Sequence, residues 1–138
     1  MIILDTNVLS ELARPAPDER VAAWLDRQPR VSIWTSSVTI FEIRWGLQIM
    51  PAGKRRTALT QATERVLEEI GYQVAPFDLL AAQHAGDLLA AGRRKGRPIE
   101  FRDTMIAGVA MAQNASLATR NTIHFRDVSV PLIDPWSA

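Results

Sequence analysis

A chain of 138 residues that is 47% hydrophobic and 22% charged carries enough apolar surface for one compact domain with a real core, and its length argues against a second. It has no cysteine, which excludes a disulfide framework, a thiolate metal site and a cysteine nucleophile and fits a reducing, cytoplasmic setting. A formal net charge of +1 gives no global signature of a nucleic-acid binder, and without a basic leader or an apolar run of membrane-spanning length, neither export nor membrane insertion is expected.

The apolar run at residues 1–4 has the character of a buried strand and ends at Asp5-Thr6-Asn7, which opens a helical stretch that Pro15 and Pro17 break in two. A second strand is expected at 31–35. From Val38 to Ile49 two periods compete: Phe41, Ile43, Trp45, Leu47 and Ile49 alternate as in a strand, while Val38, Phe41, Trp45 and Ile49 line one helical stripe. Ser36 and Ser37 as N-cap residues, and a length beyond a typical strand, decide for a helix. Residues 54–70 read as a further helix closed by Gly71, followed by a strand at 73–77 and a helix over 79–92 with Asp78 as its N-cap and Gly92 near its end. The stretch 105–112 is apolar nearly all round, which predicts a buried helix with Asp103 in its first turn. Strands at 116–119 and 128–133 complete an alternation that predicts an α/β fold, a three-layer α/β/α sandwich around a mainly parallel sheet.

Three acids stand out against this frame. Asp5 lies where a buried strand hands over to a helix, the carboxyl edge of the sheet and the usual ligand position in open α/β folds, although an aspartate there also serves as an ordinary N-cap. Glu42 falls beside Phe41 and Trp45 on a mostly apolar helix surface, where an unpaired carboxylate is costly and a cation, such as Arg44 or a metal, is expected to meet it. Asp103 again fits either an N-cap or a ligand at a core edge. Carboxylates without cysteine and with only two histidines form a hard oxygen set suited to Mg²⁺ or Mn²⁺, the arrangement of metal-assisted phosphodiester hydrolysis.

Seven of the 16 basic residues fall in two short clusters, Lys54-Arg55-Arg56 and Arg93-Arg94-Lys95 with Arg97. They read either as solvated helix ends or as contacts to a phosphate backbone brought to the acidic centre. Gly53-Lys54 lacks the earlier glycine of a phosphate loop, and no G-x-S-x-G nucleophile elbow is present. His84, between Leu80 and Leu88, reads as a partly buried structural residue. His124 follows Arg120-Asn121 in a polar loop and reads as either a surface residue or an auxiliary contact of the site. The four tryptophans are assigned to core or interface, with Trp45 able to flank the site and Trp136 to anchor the C-terminus.

Four stretches in order, Ile3-Leu4-Asp5-Thr6-Asn7-Val8-Leu9-Ser10, Ser37-Val38-Thr39-Ile40-Phe41-Glu42-Ile43-Arg44-Trp45-Gly46, Asp103-Thr104-Met105-Ile106-Ala107-Gly108 and Ala118-Thr119-Arg120-Asn121, span nearly the whole chain. In them the sequence resembles PIN-domain proteins, in particular VapC-type toxins of toxin–antitoxin pairs and their FitB-like branch. The resemblance implies a Mg²⁺- or Mn²⁺-dependent endoribonuclease, a homodimer, and a small VapB- or FitA-like antitoxin that blocks the site and binds operator DNA. It maps Asp5, Glu42 and Asp103 onto the three family acids and Thr6, Asn7 and Thr119 onto polar residues that support them. Where FitB-like proteins carry a further acid this chain has Asn121, and where other VapC proteins carry one it has His124, which removes the carboxylates that hold a second metal tightly.

The sequence therefore predicts a metal-dependent ribonuclease toxin. A low-turnover binding module acting on operator DNA with its antitoxin, and a structure-selective DNA nuclease using the same acids, are the competing readings.

Overall fold

Ile3 and Leu4, adjacent on one strand, are both fully buried yet belong to different cores, because successive side chains of a strand leave the sheet on opposite faces. A strand buried on both faces needs helices on both, and that is what the chain builds. In the computed structural model, which describes residues 1–138, five strands pair in parallel in the order β3-β2-β1-β4-β5. They are β1 (Ile2–Leu4), β2 (Ile33–Ser36), β3 (Val74–Ala75), β4 (Ser116–Ala118) and β5 (Leu132–Ile133). The five-stranded sheet and its flanking helices bear out the expected α/β class.

One core joins Leu4, Ile33 and Ala118 of the sheet to α1 (Thr6–Leu12), α2 (Glu19–Asp26) and α4 (Lys54–Glu69), with Trp24 and Trp136 sealing it. The other joins Ile3 and Leu117 to α5 (Leu79–Arg94) and α6 (Phe101–Ala112), with Phe125 and Val128 folded against them. The helix α3 (Ser37–Ile49) bridges the two, sending Val38 to the second core and Ile40 and Ile43 to the first. The ambiguous stretch is thus a helix, begun by Ser36, whose hydroxyl accepts the Thr39 N–H at 3.1 Å. No helix is long and apolar enough to cross a membrane.

Several boundaries differ from expectation: a 3₁₀ turn at Arg30–Ser32 delays β2 to Ile33, β3 is only Val74–Ala75 within the expected 73–77, and α6 begins at Phe101 where Glu100 caps it. Helix α5 runs through Gly92 and stops at Gly96, whose φ of +67° suits glycine and whose N–H bonds to the carbonyl of Arg93. Gly92 has a packing role instead: a Cβ there would lie 3.0 Å from the backbone oxygen of Arg97, so the missing side chain lets the following loop fold back on the helix. The last strand is confined to Leu132–Ile133, because Pro131 has no N–H to pair and Val128 is drawn into the core.

The closest helix contact is α5 on α6 at Gly108, where a Cβ would meet the carbonyl oxygen of Ala81 at 2.5 Å and Ala85 at 3.0 Å. Both obstacles are backbone or a stiff methyl. Gly108→Ala should therefore destabilise the protein by about 2 kcal/mol despite its better helix propensity, lowering the midpoint of thermal unfolding by circular dichroism. A variant as stable as the parent would mean that α5 yields at this crossing.

Candidate active site

In the observed strand order, the chain leaves β1 toward β2 and β3 on one side, while β4 and β5 lie on the other. The boundary between β1 and β4 is therefore the switch point of the sheet, where helices of open α/β folds diverge and leave a crevice at the carboxyl ends of the strands. Asp5 is the first residue after β1, and Thr119 the first after β4. The Asp5 N–H donates to the carbonyl of Ala118 at 3.0 Å, which pins the two strand ends together.

Asp5 is 3% exposed. Its Oδ1 accepts the Val8 N–H at 3.0 Å, so it does cap α1, but capping does not use up the carboxylate. Thr119, fully buried, adds a side-chain hydrogen bond, and its Oγ1 accepts the Asn121 N–H at 3.1 Å, which leaves the hydroxyl proton for Asp5. Burial nevertheless pushes the Asp5 carboxyl up from its ordinary range to about 6, the bonds from Thr119 and Val8 opposing the rise and the charge of Asp103 adding to it.

Glu42 reaches the same crevice from α3. Thr6 Oγ1 donates to its Oε1 at 2.9 Å and lies 3.2 Å from Thr39 Oγ1, which in turn receives the Ser36 hydroxyl at 3.3 Å. This chain of hydroxyls runs from the end of β2 to the carboxylate and ties α1 to α3. The cation expected at Arg44 is elsewhere: two residues on, a helix has turned to its far side, and Arg44 lines a groove with Thr60 and Glu64 of α4. Arg102 meets Glu42 instead, Nη1 to Oε2 at 3.8 Å.

Asp103 lies in the first turn of α6 but does not cap it. Glu100 is the N-cap and takes the N–H groups of Arg102 and Asp103 at 2.8 and 3.1 Å. The Asp103 carboxylate is left facing the crevice, with His124 Nδ1 at 4.0 Å as its nearest cation candidate. Its proton affinity is raised by partial burial, then by the charges of Glu100 and Glu42. Asp5, Glu42 and Asp103 thus form one electrostatic cluster, although no three of the chain's acidic or histidine side chains converge as a ready-made metal cage.

Asn7 is exposed at the start of α1, with its backbone N–H toward Asp5. Asn121 precedes the short 3₁₀ turn at Thr122–Phe125, half-buried, and His124 in that turn is exposed. His84 is half-buried on α5 beside Met111 and Asn114, away from the acids. The basic clusters divide. Arg93 and Arg94 end α5, where cations suit the helix dipole, but Lys54, Arg55 and Arg56 begin α4, where they oppose it. Arg97 is held bidentate by Asp127 at 2.9 and 3.0 Å, and Arg56 bonds Gln48 at 2.5 Å.

The PIN domain family matches residues 2–131. The chain belongs to the PIN-domain family. It is 42% identical to the VapC ribonuclease Y4jK of Sinorhizobium fredii over 99% of this chain and 98% of that protein. Its fold is similar to the crystal structure of FitAcB from Neisseria gonorrhoeae, with a TM-score of 0.89 and 34% identity covering 100% of both chains. The structure of FitAB bound to an IR36 DNA fragment gives 0.87 at 34% identity, over 99% and 96%.

Within this PIN domain, sequence reasoning passed over Thr39, Glu100 and Arg102. Thr39 follows Ser36 at capping spacing, a usable signal, whereas nothing in the sequence distinguishes Arg102 from other exposed arginines.

The raised proton affinity of Asp5 has a stability consequence. A carboxyl at about 6 in the folded state and 3.8 unfolded binds its proton more tightly when folded, so metal-free stability falls as pH rises through that interval. Asp5→Asn keeps the cap and removes the charge. Without divalent ions it should be more stable than the parent by roughly 2 kcal/mol at pH 7.5, and the difference should shrink toward pH 4. Urea unfolding across that range checks it; a pH-independent difference would detach the effect from the charge.

Proposed function

We propose that this PIN-domain chain is the toxin nuclease of a toxin–antitoxin pair, an endoribonuclease that cleaves RNA phosphodiester bonds with Mg²⁺ or Mn²⁺ held by Asp5, Glu42 and Asp103. What supports this reading is that Asp103 raises the proton affinity of Asp5 and Glu42 that of Asp103, at the carboxyl ends of β1 and β4, in a chain similar over its whole length to a VapC ribonuclease.

The donor set fits a hard divalent ion. All three groups are carboxylates, and burial followed by the charges of neighbouring acids raises the proton affinities of Asp5 and Asp103, a repulsion that a hard divalent cation with a few carboxylate ligands and retained waters would relieve. When bound, the ion would supply positive charge to the scissile phosphate and acidify a water molecule. The chain's own residues do the rest. Thr119 and the Val8 N–H hold Asp5 in one orientation, and Thr6 does the same for Glu42. Thr119 also fixes the backbone of Asn121, whose side-chain amide oxygen would serve as a weak or water-mediated ligand. Arg93, Arg94 and Lys95, all exposed, lie one loop before α6 and are suited to the RNA backbone.

For partners, the similarity to FitAB and its DNA complex supports a small antitoxin that covers this site and carries the toxin to operator DNA, with the toxin itself a homodimer. Phe41, Trp45 and Ile49 are 62%, 53% and 63% exposed on one stripe of α3, an apolar surface of the sort that protein partners cover.

Asp103→Asn should fold as the parent does and lose RNA cleavage by about 100-fold or more, since it removes a ligand without changing shape. Its melting temperature should rise less than the parent's when Mn²⁺ is added. Full cleavage by the folded variant would sink this centre. Asn121→Asp supplies the acid found in FitB-like relatives of this family and should tighten metal binding without RNA, whereas Asn121→Ala should loosen it only modestly. Calorimetric titration of the three proteins checks this, and two tight sites in the parent would contradict it.

A further inference from the structure

Arg102 occupies a position that neither its neighbours in sequence nor the three acids account for. Its backbone N–H is fixed by the Glu100 carboxylate at 2.8 Å, so the root of the side chain is set by the cap of α6. Its guanidinium is held only loosely. Nε donates to Glu100 Oε1 at 3.3 Å, and Nη1 stands 3.8 Å from Glu42 Oε2, beyond hydrogen-bond length. Of five N–H donors only the one on Nε makes a hydrogen bond, and the side chain is 44% exposed. Arg102 is also the one residue shared by two surface grooves. One, of about 310 Å³, holds Thr6, Glu42 and Trp45. The other, of about 390 Å³, is bounded by Phe41, Phe101 and Met105. A strand passing from the apolar groove to the acids crosses Arg102.

We propose that Arg102 is a substrate-phosphate clamp of the proposed ribonuclease centre, parked against Glu42 and Glu100 in the free protein and turned to the RNA backbone when a strand enters. The geometry favours this over a structural ion pair. A structural arginine would use its fork on one carboxylate, as Arg97 does on Asp127 at 2.9 and 3.0 Å. Arg102 instead divides itself between two acids and completes a good bond with neither. The position also sets its effect on the acids: a cation resting beside Glu42 lowers the negative potential that a divalent ion would feel. Removing it should weaken RNA binding and strengthen metal binding, two effects of opposite sign that a loss of folding cannot produce together.

The inference rests on the ribonuclease reading, and one experiment separates them. The full chain, Arg102→Gln and Arg102→Lys are compared for binding of a fluorescein-labelled single-stranded RNA in EDTA across a salt series, and for Mn²⁺ affinity by calorimetry without RNA. For Arg102→Gln, RNA binding should weaken roughly tenfold, the scale of one charge-assisted hydrogen bond. The slope of log affinity against log salt should flatten by about 0.7, one single-strand phosphate contact. Its Mn²⁺ affinity should rise roughly threefold. Arg102→Lys should keep the parent's salt slope and Mn²⁺ affinity while losing part of the RNA affinity. Unchanged RNA binding in Arg102→Gln, or a joint fall of RNA and Mn²⁺ affinity, overturns the clamp while leaving the ribonuclease reading in place. A parent that binds neither Mn²⁺ nor RNA overturns both.

Discussion

The feature on which the rest of this structure depends is a carboxylate placed where water cannot reach it well. Asp5 closes the central strand, is 3% exposed, and holds its proton up to about pH 6 because burial outweighs the hydrogen bonds it receives. An apolar residue there would let the sheet end without strain. The chain instead surrounds the acid with donors, the Val8 N–H and the Thr119 hydroxyl, and then brings two further acids toward it from α3 and α6. Repulsion among them is a standing destabilisation that a bound cation would relieve. Stability and ligand affinity are thus opposed at this edge of the sheet.

The scaffold makes such an arrangement tolerable. Each face of the short sheet has its own core of buried apolar side chains, and the carboxylates belong to neither. Hydroxyls do the joining where the layers meet: Ser36, Thr39 and Thr6 link the end of β2 to α1 and α3, and Thr35 donates to the carbonyl of Leu4 at 2.9 Å. Uncharged groups suit this place. A lysine in any of these positions would neutralise the acids permanently and close the site to an added ion.

Much of this was legible in the sequence, for identifiable reasons. The five strands are apolar runs flanked by helix-length segments, and parallel strands buried on both faces leave that trace. Asp5 could be placed because it interrupts such a run. Glu42 needed the helical reading of α3, which Ser36 decided. Its partner was not legible, because Arg102 is distant in sequence and meets it only once α6 is packed against α3. Gly92 lies near the end of α5 as expected, but the stop is Gly96: a glycine needed for close approach and one needed for a positive φ look alike in one dimension, and of the two only Gly96 has the left-handed backbone. Asp103 was read as a capping candidate, but the cap is Glu100, three residues earlier, and that displacement is what frees the Asp103 carboxylate.

A polyanion approaching three acids on a nearly neutral chain meets a problem that net charge does not solve. With a formal charge of +1 the long-range field is weak, and at physiological salt it is screened beyond about 8 Å. Attraction has to come from cations within that distance of the strand's path. Arg97 contributes little because Asp127 neutralises it. Arg93, Arg94 and Lys95, which have no acidic partner, sit at the end of α5, and Gly92 folds the following loop back so that α6 begins close by, with Arg102 and Asp103 in its first turn. On the proposed reading, attraction and chemistry are encoded in one short stretch of chain: exposed cations come first, the cap follows, and the acid comes last, at the point where the backbone enters the buried helix.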